Sequence, residues 1–576
     1  GSLMLTNLST EQLVGLNGTV FSDGCLAGVF WETFAGISMI ILAYVLLPRY
    51  MRLGLITTTG FLGDRYDLQM RTLVSGFFLV FYTFGLCPIV LYTGSICFRS
   101  IFELEDVPLV WFCLVIGTIG AFYALFGGLK AVAISDCLNG LGLIVVGLWV
   151  PIAALQKLGG LSVLFEEQEF LDPLVQNSAV YDAENFTRTF DEPSVPWHAI
   201  LTGMMLIQNY YWSTNQVIVQ RVLAAKTLAH GQKGVLFAAA MKVVGFTMLC
   251  LPGLIGAVMQ ERGIEVNGQP FRLDKADKVY PTMVRAVMPA WFLGSFAGIL
   301  LGSVLSTFNS ALNSASTIFG LEIYKIYIRP EASDKEVVRV ATVFGALCTV
   351  LSFFIAPALE SVDQIFSLFM KIMSWMALPI VLVFYMGMLT SLPDAFAAKV
   401  GFCVSGAVYL AYYIVLAVTA PESWIQEVHF LHVVFVCFLI GAASIALVTY
   451  IPFVRRLLHR EEPKPHQIEA PSTDLDLTPW RYAGHCSVGI VVSIAQLTIS
   501  LQAGNIQLFL SFWVLWVAGM LTLMWLPVAG APAEAAPEGK SEKAPAAEDV
   551  AERTAENLDL AMSASGAEAP GAKVEV

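Results

Sequence analysis

Gln208-Asn209-Tyr210-Tyr211-Trp212-Ser213-Thr214-Asn215-Gln216 is a polar run inside an otherwise apolar stretch covering 198–219. A helix surrounded by lipid must satisfy its backbone groups internally. Side chains rich in donors and acceptors compete with that hydrogen-bond ladder. The run therefore predicts a helix broken in its middle. The opening stretch, 1–21, carries a matching interruption at Thr6-Asn7-Leu8-Ser9-Thr10-Glu11-Gln12.

The rest of the chain fixes the medium in which these breaks sit. Of 576 residues, 57% are hydrophobic and only 13% charged, against about 25% charged in soluble domains. Mean hydropathy is +0.70. A water-soluble globule is excluded, and 38 Phe, 18 Tyr and 12 Trp exclude a disordered or fibrous chain. About 20 apolar residues span the hydrocarbon layer as a helix. By that rule the sequence predicts fourteen spans, at 1–21, 26–47, 73–102, 107–126, 132–155, 198–219, 235–259, 290–318, 337–359, 365–389, 400–418, 429–451, 485–502 and 506–528.

Charge sorts to the connections. Residues 157–196 carry eight acids against two bases, and 531–576 ten against four, which together account for nearly all of the net charge of −13. No basic patch speaks for nucleic acid. Loops bearing Arg49, Arg52, Arg65 and Arg71, then Arg221, Lys226 and Lys233, then Lys325, Arg329 and Lys335, and finally Arg455, Arg456 and Arg460 alternate with acidic or neutral ones. The positive-inside rule then predicts a multi-pass protein of the plasma (cell) membrane with both termini cytoplasmic. The Ala-, Glu- and Pro-rich tail cannot bury enough surface to fold. Ten Cys, mostly in apolar stretches and without close pairs, read as small buried residues.

Charges inside spans are costly and mark function by default. Here they are Glu11, Glu32, Asp136, Lys242 and Lys371, a surplus of one negative charge that one monovalent cation would neutralise. Ion pairs that only fix packing are the competing reading. The eighth span reads Ser-Val-Leu-Ser-Thr-Phe-Asn-Ser from 303 to 310, continuing to Phe319, with Ser303, Ser306, Ser310 and Thr317 on one helical face. Such a stripe usually serves close helix packing. The adjacent hydroxyls of Ser306 and Thr307, one turn after Ser303, suit a hard cation better. Paired interruptions near the starts of two halves are the sequence mark of a secondary transporter's site, where unwound backbone frees carbonyls for a cation and amides for a polar solute. No Walker loop, paired metal-binding histidines or Gly-x-Ser-x-Gly elbow is present, so no enzyme is expected.

Four segments, NLSTEQLVGL (7–16), FGGLKAVAISD (126–136), YYWSTNQVIVQRVLAAK (210–226) and STFNSALNSASTIF (306–319), resemble the solute:sodium symporter family, in particular its sodium/sugar (glucose, galactose) cotransporter branch. The likeness runs from residue 1 to about 389. It implies an all-α, polytopic membrane protein with a LeuT-like five-plus-five inverted repeat. The first repeat would be 1–155, an acidic extracellular loop 156–196, the second repeat 197–391, accessory helices 392–530 and a disordered cytoplasmic tail 531–576. It also implies that the family's first N-terminal helix is missing here. By position, the family's sodium site falls on the carbonyls of Leu5, Leu8 and Ser303 and the hydroxyls of Ser306 and Thr307, with Asp136 nearby. Substrate contacts fall on Asn7, Gln12, Glu32, Gln208 and Lys242, and the gating aromatic on Tyr211. Lys371 stands where the branch has a substrate-contacting glutamine, and so would favour an anionic solute or pair with Glu32.

Sequence and resemblance together predict a symporter that couples Na+ to import of a small polar solute by alternating access. A sugar is the first expectation, and a sugar acid or polyol the alternative. A proton-coupled carrier with Asp136 or Glu32 titrating, and then a solute sensor, are the further readings. The partners expected are the solute and the lipid bilayer, with no nucleic acid and no obligate protein partner.

Overall fold

The computed structural model describes residues 10–54, 58–174, 178–182, 187–191, 193–223, 225–266, 268–273, 275–362, 365–391, 393–419, 423, 425, 428–458 and 476–528. Within these, the side chains of 123–138, 141, 178–182, 187–191, 216–217, 220–221, 269 and 455–456 are outside the description. The helices that position the site are α1 (Thr10–Asp23), α2 (Leu26–Arg52), α3 (Thr58–Arg65), α4 (Leu68–Ile101) and α5 (Leu109–Leu158). They continue with α6 (Gly203–Asn209), α7 (Gln216–Leu223), α8 (Leu228–Glu261), α9 (Val279–Val287), α10 (Ala290–Ile328), α11 (Asp334–Ser361) and α12 (Ile365–Leu389). Four more follow: α13 (Ala395–Val418), α14 (Phe430–Tyr450), α15 (Ala483–Gln502) and α16 (Ile506–Trp525). A hairpin of Ser178–Asp182 against Thr187–Asp191 lies in the acidic connection.

Among the described residues, ten helices are long and apolar enough to cross a membrane, and each coincides with an expected span. The first of the other four spans is described from Thr10, where Thr10, Glu11 and Gln12, the end of the expected interruption, already form the first turn of α1, and Thr6 to Ser9 lie outside the described residues. The fourth and fifth, expected at 107–126 and 132–155, run together as α5, a helix of 50 residues. At 1.5 Å per residue it is about 75 Å long, more than twice the ~30 Å hydrocarbon layer that a straight helix crosses once. Its apolar ends are Leu109–Phe122 and Gly142–Leu158. Gly127-Gly128 between them weakens a helix without breaking it, so the expected turn is absent.

The sixth span breaks where the polar run predicts. Helix α6 ends at Asn209, a single wide π-type turn covers Tyr210–Thr214, Asn215 is extended (φ −69°, ψ 126°), and α7 restarts at Gln216. The Tyr210 carbonyl takes a bond from the Asn215 amide, five residues on, and another from the Thr214 hydroxyl at 2.9 Å. Widened turns of this kind insert one extra residue and recur at functional sites. Further π-type segments lie in α2 at Leu42–Leu46, in α4 at Phe81–Leu86 and at the end of α10 at Phe319–Ile328.

Packing against α1 is close enough to exclude side chains. A Cβ on Gly15 would lie 2.9 Å from the Phe366 Cβ, and one on Gly253 only 2.1 Å from the Asn17 carbonyl oxygen. Asn17 itself enters the bend of α8. Pro252 has no N–H to give the Met248 carbonyl. The Asn17 amide donates to that carbonyl at 3.1 Å instead, while its own oxygen accepts from the Gly253 amide at 2.8 Å. One buried side chain thus repairs both groups that the bend leaves unpaired, and fixes α1 on α8.

Candidate functional site

These helices enclose a cavity of about 60 Å³, room for only a few water molecules. A solute the size of a hexose therefore requires its walls to part. Helix α1 contributes Glu11 and Gln12, α2 Trp31 and Glu32, the wide turn of α4 Phe81 and Tyr82, and the broken sixth span Gln208, Tyr211, Trp212 and Asn215. Lys242 comes from α8, Thr307, Ser310 and Ala311 from α10, and Phe366, Phe369, Met370 and Met373 from α12.

Electrostatically the site is built on one pair. The Lys242 ammonium donates to Glu32 Oε2 at 2.7 Å, with the two side chains only 1% and 3% exposed. A buried ion pair repays its desolvation only when its remaining valences are met, and two neighbours help. The Lys242 ammonium also lies 5.3 Å from the centre of the Trp212 ring, a cation–π distance. Gly245 lets the carboxylate lie flat against α8, since a Cβ there would be 2.6 Å from Glu32 Oε2. Gln208 then ties the broken helix to α2. Its amide donates to the Trp31 carbonyl at 2.7 Å and its oxygen accepts from the Trp212 indole at 3.1 Å. Gln12 Oε1 is buried and accepts no hydrogen bond. A buried acceptor left unmade costs about 1–3 kcal/mol, which a solute hydroxyl at that point would recover.

Of the residues singled out in the sequence, Glu11, Gln12, Glu32, Gln208, Tyr211, Lys242, Thr307 and Ser310 line this one cavity. Ser303 is buried and Ser306 half-buried on the same stripe of α10, and neither is among the lining residues. Leu5, Asn7 and Leu8, and the side chain of Asp136, lie outside the described residues. Lys371 does not join the group. It sits five residues after Phe366, about 140° around a helix of 3.6 residues per turn. Its carbonyl accepts from Tyr409 of α13 at 3.2 Å, so its helix face is turned to the accessory helices. Its pairing with Glu32, the alternative reading, is replaced by the Lys242 pair. The aromatic and Met walls, Trp31, Phe81, Tyr82, Phe366, Phe369, Met370 and Met373, carry no mark in the sequence that separates them from ordinary apolar span residues.

A bundle of membrane-crossing helices closed around a small amphipathic cavity, with a broken helix forming one wall, is the architecture of a secondary transporter. The chain belongs to the sodium:solute symporter family, whose model matches residues 1–401. It is similar to an uncharacterised symporter, YidK, of Escherichia coli (strain K12), 33% identical over 506 residues covering 86% of this chain and 82% of that one. It also resembles a sodium/glucose cotransporter of Vibrio parahaemolyticus, 29% identical with 70% and 75% covered, and a sodium/myo-inositol cotransporter of Canis lupus familiaris, 27% identical with 75% and 64% covered. Among solved structures, a Na+-coupled sialic acid symporter in its substrate-bound outward-open state superposes with a TM-score of 0.62 at 17% identity, covering 81% of this chain and 90% of that one. The fold is the LeuT-like one, and the protein is a multi-pass, sodium-coupled solute symporter of a family of transporters rather than enzymes.

Proposed function

We propose that the solute carried with Na+ is a small, neutral, polyhydroxylated molecule, a sugar first and a cyclic polyol second. The observation that carries this is the chemistry of the cavity wall, whose ammonium, Lys242, is already committed to Glu32 and whose other polar groups include amides and hydroxyls set among rings. Lys371, the residue that would have made an anionic solute favourable, is not part of that wall. Hydroxyl groups suit the Glu32–Lys242 pair, the open Gln12 oxygen and the Gln208 amide, and sugar C–H faces suit the surrounding rings. The relatives named for glucose and myo-inositol support the same class.

The sodium ion binds between the opening helix and α10, on the carbonyls of Leu5, Leu8 and Ser303 and the hydroxyls of Ser306 and Thr307, with Asp136 supplying negative charge nearby. Thr307 lies on the hydroxyl stripe and also lines the cavity, so ion and solute share a wall. Asn7, Gln12, Glu32, Gln208 and Lys242 hold the solute. Tyr211, packed edge-on to Trp212 with ring centres 5.2 Å apart, closes the path until the two repeats rock. The chain sits in the cell membrane with its basic loops inside.

The reading is tested by sodium-driven uptake into proteoliposomes across radiolabelled neutral sugars, polyols and sugar acids. Neutral compounds should be accumulated and should compete with one another. Accumulation of sugar acids with no competition from neutral sugars or polyols would overturn it.

A further inference from the structure

A second cavity, of about 360 Å³, lies away from the first. It is lined by Arg49, Arg52 and Leu53 at the end of α2, Phe61 and Arg65 on α3, and residues Gly387 to Ser391 at the end of α12. Three guanidinium groups share it, and no carboxylate is among the lining residues. The acids nearest in sequence are engaged elsewhere. Asp67 accepts from the Met70 amide and the Lys399 ammonium, and Asp64 lies within the field of Arg71. Arg65 is only 3% exposed. Its Nε donates to the Gly387 carbonyl at 3.2 Å, and its Nη2 donates to the Thr390 and Pro393 carbonyls at 3.1 Å. A cation at a helix C-terminus is favourable, so Arg65 has a structural duty, and all three of these bonds go to carbonyls rather than to an acid among the described residues. Burial lowers its guanidinium from the ordinary arginine range.

Arginines at a span end are common at the membrane surface, but an arginine that only reaches for water needs no walled space. Here three arginines line a cavity within the size range of small-molecule sites, roughly 300–1,000 Å³, with Arg49 also donating from Nη1 to the Val45 carbonyl of its own helix. Three positive charges around one space favour an anion there. Planar guanidinium forks match phosphate oxygens two at a time, and basic pockets between helix ends take lipid phosphate groups.

We propose that the cavity between the ends of α2, α3 and α12, lined by Arg49, Arg52 and Arg65, is a binding site for a phosphate oxyanion, carried either on an anionic lipid headgroup or free in solution. The bound anion braces α2 and α3 against the end of α12, the helix whose Phe366–Met373 face lines the solute cavity. The site is independent of what the solute is.

The test uses the purified full chain in a neutral detergent. Dioctanoyl phosphatidylglycerol, inorganic phosphate and, at matched ionic strength, sodium chloride are titrated while the apparent melting temperature is followed. The lipid, the free phosphate or both should raise it saturably while chloride does not. Arg49→Gln with Arg52→Gln should raise the half-saturating concentration about tenfold or more. Ser391→Asp, which keeps every arginine and adds a carboxylate at the lining, should do the same. A response to the lipid alone assigns a headgroup, and one to phosphate alone a free anion. Equal responses in wild type and Ser391→Asp, no response to either anion, or a shift reproduced by chloride would overturn the proposal.

Discussion

At the scale of single residues, the Glu32–Lys242 pair is where stability and function meet. Lys242→Ala leaves a carboxylate buried with no counter-charge, which should cost about 3–5 kcal/mol and show as a large fall in the apparent melting temperature. Glu32→Gln combined with Lys242→Met should recover much of that stability, because no uncompensated charge remains, and yet leave uptake absent. Gly245→Ala should raise the half-saturating solute concentration by about tenfold, since its methyl displaces the Glu32 carboxylate that it would meet at 2.6 Å. Unaltered uptake kinetics in that variant would show that the carboxylate has freedom the packing does not suggest. Lys371→Gln should leave the ranking of solutes unchanged. The contrast between Lys242 and Lys371 shows what the sequence could reveal. Both stood out as ammonium groups in apolar spans, because burying charge is costly wherever the helix turns. Which way each faces depends on helix phase and on neighbours brought from distant parts of the chain, and only the fold supplies those.

At the scale of elements, the broken sixth span was legible because nine consecutive residues abandon the apolar pattern of their surroundings. The structure turns that run into a wide turn followed by an extended residue. The wide turn in α4 was not legible. Phe81–Leu86 holds no run of strong donors and acceptors, only Tyr82 and Thr83 among apolar residues, and it packs against other helices. The same is true of the aromatic wall of the cavity, where each ring is an unremarkable span residue until the helices are assembled. The missing turn in α5 has a different origin, since two adjacent glycines weaken a helix without requiring a break. Asn17 gives a test at this scale. Asn17→Ala removes the side chain that satisfies both the Met248 carbonyl and the Gly253 amide at the bend of α8. It should destabilise the protein by about 1–3 kcal/mol for each buried group left unmade. Retention of wild-type thermal stability would mean that water or a straightened helix takes over those bonds.

At the scale of the whole molecule, the ion drives the solute. A potential of about 100 mV supplies roughly 2.3 kcal/mol per charge moved, enough for about 50-fold accumulation of a neutral solute with one Na+. The small volume of the solute cavity fits a transporter whose repeats must separate on one side before loading. The overall class was legible from composition and span count, since a chain so poor in charge cannot fold in water. Family membership followed from four short motifs, whereas the placing of Thr307 on the cavity wall needed the fold. The most direct measurement of the central claim is paired uptake of radioactive sodium and a labelled neutral sugar or polyol into proteoliposomes, for wild type and for Ser306→Ala combined with Thr307→Ala. Sodium and solute should enter the wild type in fixed proportion, and the variant should lose the sodium dependence of solute uptake. Sodium-driven uptake that persists at the wild-type level in the variant would contradict the account.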